Sequence, residues 1–290
     1  QEKIDISFSV QRQPLPMILF PNCKINLGLH ILRKRSDGYH DLETIFYPLP
    51  LFDALEIIRL PDENSSLAFS TSGATIEGYN DNNLCIKAYD LIIRNHPALP
   101  PAKIHLHKAI PTGAGLGGGS ADAAFTLKLL NEKFGLQLTI HQLIDYALQL
   151  GSDCPFFIIN KPAFAEGRGE IMEPIILDLS AYKFIIVNPG LHINTAKAFS
   201  GITPTLPTKS LKEIIRQPVE SWKNELLNDF EKSVFLQYPE IEAIKNKLYE
   251  EGTVYASMSG SGSTVYGIFK KDAITGIQFP SHYFLKELNS

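Results

Sequence analysis

Residues 113–119 read Gly-Ala-Gly-Leu-Gly-Gly-Gly, five glycines in seven positions. Each glycine loses more backbone freedom on folding than any other residue, so a loop built this way implies left-handed backbone or the close approach of another group to the main chain. An extended stretch, 103–109, precedes the run. A helical pattern, 120–134, follows it, with Ala124, Leu127 and Leu130 along its length and Gly135 past its end. Strand, glycine loop and helix in that order gather backbone N–H groups and the positive end of a helix at one point, an arrangement suited to phosphate.

Familiar phosphate loops fit poorly. Gly113, Gly115 and Gly118 satisfy the spacing of a dinucleotide fingerprint. That fold also needs an acidic residue about 20 positions on, at the end of a second strand. The chain instead has Leu136-Gln137-Leu138-Thr139 and a helix there. No Lys-Ser or Lys-Thr follows the last glycine, which removes the P-loop, and the protein-kinase motif set is absent.

Composition localises the problem further. The 290 residues are 44% hydrophobic and 20% charged, enough apolar material for a substantial core, which excludes a disordered or fibrous chain. With 27 Lys and Arg against 31 Asp and Glu, the net charge is −4. A broad nucleic-acid-binding surface is not expected, and an anionic ligand must be met by a local positive field. Cys23, Cys85 and Cys154 are too few and too scattered for a disulfide framework, so a reducing compartment is expected. No secretory pattern and no apolar run of about 18–20 residues is present, and the expected setting is cytoplasmic and off the membrane. His105 and His107 would share a strand face, but without a third ligand they predict no zinc.

Along the chain, extended segments are expected at 17–20, 25–32, 42–49, 54–60 and 67–72. A helix capped near 81–83 carries Leu84, Ala88, Leu91 and Ile92 on one face. Further helices are expected at 139–150, about 219–235 and 240–250, with 200–218 mostly loop and strands at 184–187 and 264–269. A second Gly/Ser loop occupies 257–263. Strands first, then helices, then strands again favour an α+β fold. The organisation expected is an N-terminal extension, 1–16, a first domain, 17–175, and a second, 176–290.

The string Pro111, Thr112, Gly113, Ala114, Gly115, Leu116, Gly117, Gly118, Gly119, Ser120 and Ala121 closely resembles the phosphate loop of the GHMP kinases, a superfamily of small-molecule kinases. Residues 22–27 (Asn-Cys-Lys-Ile-Asn-Leu) resemble that family's first motif, although Cys23 stands where the family usually has Ala. Residues 258–263 (Met-Ser-Gly-Ser-Gly-Ser) resemble its third. Residues 36–44, 151–156 and 163–167 are similar to the branch whose acceptor is a cytidine diphosphate conjugate of a sugar alcohol. The likeness runs in order over about 17–270, and the first 16 residues match nothing in it.

That resemblance implies a two-domain α+β kinase fold with the active site in the cleft between domains, and ATP with Mg2+ as cofactors. It implies Asp153 as the catalytic carboxylate and Lys24 beside it, Asn26 on the Lys24 strand face bonding the substrate or Asp153, and Tyr39, His40 and Phe199 around the cytosine. Thr195 and Arg168 are further contacts, and the Ser120 hydroxyl is expected near the metal. A carboxylate within reach of an alcohol can accept its proton, and an ammonium beside it stabilises charge on the moving phosphoryl group. Taken singly, an Asp after a helix is usually a cap and a Lys is usually solvated. Residues 33–35 (Arg-Lys-Arg) read as a solvated turn outside the site. Other GHMP kinases (homoserine, mevalonate or galactose type) and a non-catalytic nucleotide sensor remain as alternatives, and the oligomeric state stays open.

Overall fold

The computed structural model describes residues 17–61, 67–75 and 82–289, so the expected extension 1–16 and Asp81 lie outside the described residues. The chain begins with β1 (Met17–Leu19) and a long hairpin, β2 (Asn22–Lys34) and β3 (His40–Phe52), followed by β4 (Ala54–Arg59) and β5 (Leu67–Gly73). Helix α1 (Leu84–Asn95) starts where the Asn83 side chain accepts the Cys85 N–H at 2.9 Å. Strand β6 (Ala102–Lys108) then leads into the glycine loop and α2 (Gly118–Lys133). Helix α3 (Ile140–Leu150) is set by a capping box in which Thr139 and Gln142 satisfy each other's backbone N–H groups. Helix α4 (Cys154–Ile159) and the hairpin β7 (Ala163–Glu166), β8 (Ile171–Pro174) complete the first part.

The second part runs through β9 (Tyr182–Asn188), α5 (Thr195–Ser200), α6 (Leu211–Ile214), a 3-10 helix (Val219–Asn224), α7 (Phe230–Gln237), α8 (Pro239–Glu250), β10 (Tyr255–Met258), β11 (Val265–Lys270) and β12 (Phe284–Asn289). Described strands form three four-stranded sheets, ordered β1-β4-β6-β5, β2-β3-β7-β8 and β10-β11-β9-β12. Only the β5–β6 pair among them is parallel.

Three apolar clusters hold the layers. One lies between α1–α4 and the first sheet, around Leu55, Ile104, Leu127 and Phe156. A second packs Ile25, Leu27, Ile45 and Tyr47 of the long hairpin against Phe184, Leu211, Trp222 and Tyr266, on the far side of residue 175. A third fills the space under α7 and α8. Alternation along β2 sends Cys23, Ile25 and Leu27 into the second cluster and leaves Lys24 and Asn26 on the opposite face.

Several local expectations shift. Residues 219–235 are not one helix: a 3-10 helix ends at Asn224 and α7 begins only at Phe230. Between them the Asn228 side-chain amide donates to the Met258 and Gly260 carbonyls at 2.7 and 2.9 Å. The Leu29 N–H donates to the Leu227 carbonyl. These long-range bonds outweigh local helical continuity. Helix α2 starts two residues earlier than its sequence pattern, because Gly117 takes left-handed backbone (φ 69°) as its N-cap. His105 and His107 do share a face, where Ser70 and Ser72 hydrogen-bond them, and no group of three metal-ligating side chains exists among the described residues. No helix there is long and apolar enough to cross a membrane.

Candidate active site

An inner cavity of about 470 Å³ opens between the glycine loop, the middle of β2–β3, the start of α4 and residues 260–262. Lys24 reaches it from β2. Its Nζ lies 3.1 Å from Asp153 Oδ2 and donates to Asn26 Oδ1 at 2.6 Å, 4.7 Å above the centre of the Phe46 ring. The ammonium is nearly enclosed, whereas the Asp153 side chain keeps 34% of its surface open. Asp153 stands at the N-cap of α4 but makes no capping bond. Asn26 touches Lys24 rather than Asp153, and its amide group donates to Thr44 Oγ1 at 2.9 Å. Thr44 in turn donates to the Gly28 carbonyl. The first motif is thus a rigid polar ladder on one strand face.

In the loop, Gly113, Gly115 and Gly117 have φ of 63°, 77° and 69°. Pro111, Gly113, Ala114, Gly115, Gly117, Gly118, Gly119 and Ser120 line the inner cavity, and Thr112 lines an adjoining hollow with His192. Leu116 and Ala121 do not face it. Leu116 is buried and its carbonyl accepts the Lys24 N–H at 2.9 Å, while Ala121 is packed into the core. Among the described residues, no N–H group from Gly113 to Ser120 donates a hydrogen bond. Seven of these donors belong to residues that line the cavity, and at the start of a 16-residue helix they make an anion cradle.

Two supports fix this loop. Ser259 Oγ accepts the Asn26 N–H at 3.2 Å and donates to the Gly115 carbonyl at 2.8 Å, joining all three motifs. Behind the loop, Lys108 Nζ bonds Asp53 and, at 2.8 Å, Asp122 of α2. Asp53 also accepts the N–H groups of Ala109 and Ile110, the two residues ahead of Pro111. Burial pulls the Lys108 ammonium down, but Asp122 and Asp53 overcome it and hold Lys108 above its ordinary value. Burial pushes Asp122 up to about 7 against the attraction of Lys108, and its Oδ1 has no partner.

An outer cavity of about 600 Å³ carries Tyr39, His40, Thr195, Phe199 and Arg168. The ring contact here is His40 on Phe199, stacked at 4.6 Å and 12°, with Phe230 edge-on to Phe199 at 4.8 Å. Tyr39 instead lies beneath the Arg168 guanidinium, 5.0 Å from ring centre. Burial, with Lys34 nearby, lowers the His40 pKa and favours a neutral ring. Thr195 pairs with Ser261 through their hydroxyls at 3.0 Å. Leu42, Arg168, Thr195 and Phe199 line both cavities, so the two form one cleft.

Residues that sequence reasoning passed over include Thr44, Phe46, His192 and Ser261, all lining the inner cavity; Lys34, expected outside the site with its neighbours, lines the outer one. Arg33 and Arg35 are tied to Asp41 and Asp37, as a turn would be. Cys154 adjoins Asp153, but burial pushes its thiol up to about 12 and keeps it out of ionic chemistry at neutral pH.

The sequence matches the GHMP kinases N terminal domain over residues 83–161 and the GHMP kinases C terminal domain over 209–278. A protein from Bacteroides fragilis named 4-diphosphocytidyl-2-C-methyl-D-erythritol kinase is 56% identical over 268 residues, 92% of this chain and 97% of that protein. One of the same name from Azobacteroides pseudotrichonymphae is 52% identical, covering 93% of this chain and 100% of its own length. A crystal structure of 4-(cytidine 5'-diphospho)-2C-methyl-D-erythritol kinase superposes with a TM-score of 0.77 at 28% identity, over 94% of this chain and 100% of that one. Mevalonate kinase from Methanococcus jannaschii shares the fold, with a TM-score of 0.66 at 16% identity over 89% of this chain and 92% of that one.

Proposed function

The chain belongs to the GHMP kinases, in the family of 4-diphosphocytidyl-2-C-methyl-D-erythritol kinases, and from this we propose how its cleft works. The enzyme transfers the γ-phosphoryl group of ATP to the 2-hydroxyl of 4-diphosphocytidyl-2-C-methyl-D-erythritol, giving the 2-phosphate and ADP, a step of non-mevalonate isoprenoid biosynthesis. The observation that carries the reading is the Lys24–Asp153 pair, 3.1 Å apart, facing the same cavity as seven loop residues whose N–H groups are unpaired among the described residues.

In this reading the loop N–H groups and the positive end of α2 hold the nucleotide phosphates. The Asp153 carboxylate accepts the proton of the substrate hydroxyl as the oxygen attacks phosphorus. Lys24, 3.1 Å from Asp153, stabilises the charge spreading over the phosphoryl oxygens. Asn26 and Thr44 hold the ammonium in place, so positioning supplies much of the effect. Tyr39, His40 and Phe199 receive the cytosine in the outer cavity, and Thr195 helps join the two cavities.

Among the oxygen donors lining the inner cavity, the Ser120 hydroxyl and the Asp153 carboxylate suit a hard cation that keeps most of its ligands from nucleotide phosphates and water. Ser120 would hold Mg2+ there, and the ion when bound would neutralise charge on the phosphates. The same reading assigns the loop and the reactive pair to a lobe of residues 17–175 and much of the cleft's other wall to residues 176–290. It places the enzyme in the cytoplasm, in keeping with three free, buried cysteines.

The test is ADP release over a panel of alcohols: the cytidylylated methylerythritol, mevalonate, homoserine and galactose. ADP is expected from the first alone. Turnover confined to mevalonate or homoserine would overturn the substrate assignment.

A further inference from the structure

Arg168 belongs to neither the glycine loop nor the Lys24–Asp153 pair, yet it lines both cavities. It sits at the tip of the β7–β8 hairpin between Gly167 and Gly169, whose φ values are 71° and 100°. The tip is anchored: the Leu42 N–H donates to the Gly167 carbonyl at 2.8 Å, and the Gly169 N–H donates to the Glu166 carbonyl at 3.0 Å. Its guanidinium carbon lies over the Tyr39 ring, 5.0 Å from the centre, and its Nε donates to Glu170 Oε1 at 3.3 Å. A guanidinium carries five N–H donors. Its terminal nitrogens donate to none of the described residues.

Of the four residues common to both cavities, Arg168 is the charged one. The neighbouring charges leave it available. Lys24 is taken by Asp153 and Asn26, Lys34 borders only the outer cavity, and the Asp37 carboxylate is held by Arg35. The acceptor in the function proposed above is linear in its chemistry, with a pyrimidine at one end, a polyol at the other and two phosphates between. With the base beside Phe199 and the reacting hydroxyl at Asp153, those phosphates must cross the junction that Arg168 occupies.

We propose that Arg168 is a specificity residue: the free edge of its guanidinium receives the diphosphate of the acceptor at the junction of the two cavities. The inference rests on the proposed function. Two parallel N–H groups match two phosphate oxygens, whereas an ammonium offers a point charge. A guanidinium held over Tyr39 and by Glu170 on an anchored hairpin is also preorganised, so little freedom is lost when phosphate arrives. The residue therefore selects nucleoside diphosphate conjugates over nucleosides and over bare polyols.

Binding of CDP and of cytidine, measured by calorimetry with the nucleotide site filled by a non-hydrolysable ATP analogue, tests this apart from turnover. The wild-type enzyme is expected to bind CDP at least about tenfold more tightly than cytidine, as a charge-assisted contact would give. Arg168→Gln is expected to remove most of that ratio while cytidine affinity changes by less than about threefold, and Arg168→Lys to restore part of it. An unchanged ratio in Arg168→Gln, or an equal loss for both ligands, would overturn the assignment; the second result would mean that Arg168 acts only by supporting Tyr39. Wild-type enzyme that binds neither ligand and releases no ADP with the cytidylylated substrate would instead overturn the proposed function, and this inference with it. ADP release with that substrate and an unchanged ratio in Arg168→Gln would remove the Arg168 assignment alone.

Discussion

Asp153 occupies the cap position of α4 without capping it, and its carboxylate points 3.1 Å away to Lys24 Nζ. Pro155 at the start of the helix removes one N–H that would otherwise compete for that carboxylate. The pair is asymmetric: the ammonium is enclosed and the carboxylate is one-third open. The open partner is the one that an incoming alcohol can reach.

Asp153→Asn keeps the shape and an acceptor for Lys24 but loses the base. Its kcat should fall by about 10²–10⁴, the usual worth of a positioned base, with ATP affinity nearly unchanged. Rapid-quench turnover and ATP-analogue calorimetry check the two halves. Near-wild-type turnover would remove Asp153 from the role.

Gly115 and Gly119 should respond differently to alanine. At Gly115, with φ 77°, a methyl would meet the Ser259 carbonyl oxygen at 2.1 Å, whereas at Gly119 the nearest atom, a Leu84 methyl, is 4.0 Å away. Gly115→Ala should cost about 1–3 kcal/mol of stability through strained backbone and weaken ATP binding. Gly119→Ala should leave the melting temperature close to wild type. Equal melting temperatures for the two variants would contradict the loop geometry.

Phe199→Ala removes the stacked partner of His40 and the edge contact to Phe230. Cytidine binding should weaken about tenfold, the worth of an aromatic pair of roughly 0.5–1.5 kcal/mol together with lost contact area. Acidification should act in the same direction. Burial lowers the His40 pKa, so the folded protein favours the neutral ring. The stability and binding this ring supplies are present above the ordinary histidine range and decline as pH falls through it. Cytidine titrations at neutral and mildly acidic pH would show the decline, and His40→Gln should flatten it.

The Lys108 cluster separates two kinds of substitution. Lys108→Met leaves Asp53 and Asp122 buried without their cation, and should cost about 3–5 kcal/mol. Asp122→Asn leaves the Lys108–Asp53 pair intact and should be far milder. In the folded protein burial raises Asp122 to about 7, so folding takes up a proton between the unfolded carboxyl value and 7. Its contribution to stability is therefore greatest in acid and declines as pH rises across about 4–7. Urea midpoints at pH 5 and pH 8 should differ less in Asp122→Asn than in wild type. An identical pH dependence would remove Asp122 as its source.

Much of the site is legible in local sequence because its parts are local. The glycine run, the Asn83 cap and the Thr139 start of α3 are set by a few neighbouring residues, and each stands where the pattern puts it. What the pattern misses depends on distant partners. Thr44 reads as an ordinary strand residue until Asn26, 18 positions earlier, bonds to it. The helix pattern at 219–235 is broken by Asn228, whose partners are 30 and 32 residues away. Strand β12, with Lys286, Glu287 and Asn289 among its six residues, lacks an alternating apolar pattern and is held in the sheet by β9. The stacking of His40 on Phe199, rather than Tyr39 on Phe199, is likewise a matter of how two distant segments meet.

The Ser259 hydroxyl, 144 residues from Gly115 and 233 from Asn26, spends its one proton on the first and its lone pair on the second. A single oxygen thus joins the direct Lys24 N–H to Leu116 carbonyl bond in setting the spacing between the segment that would hold the donor and the strand that would activate the acceptor. Drift in either segment is transmitted to the other through two short bonds. Both contacts are made with main-chain groups, so this link depends on the side chain at 259: a residue without a hydroxyl there would lose both bonds at once, and the Lys24–Leu116 bond would remain to join the segments.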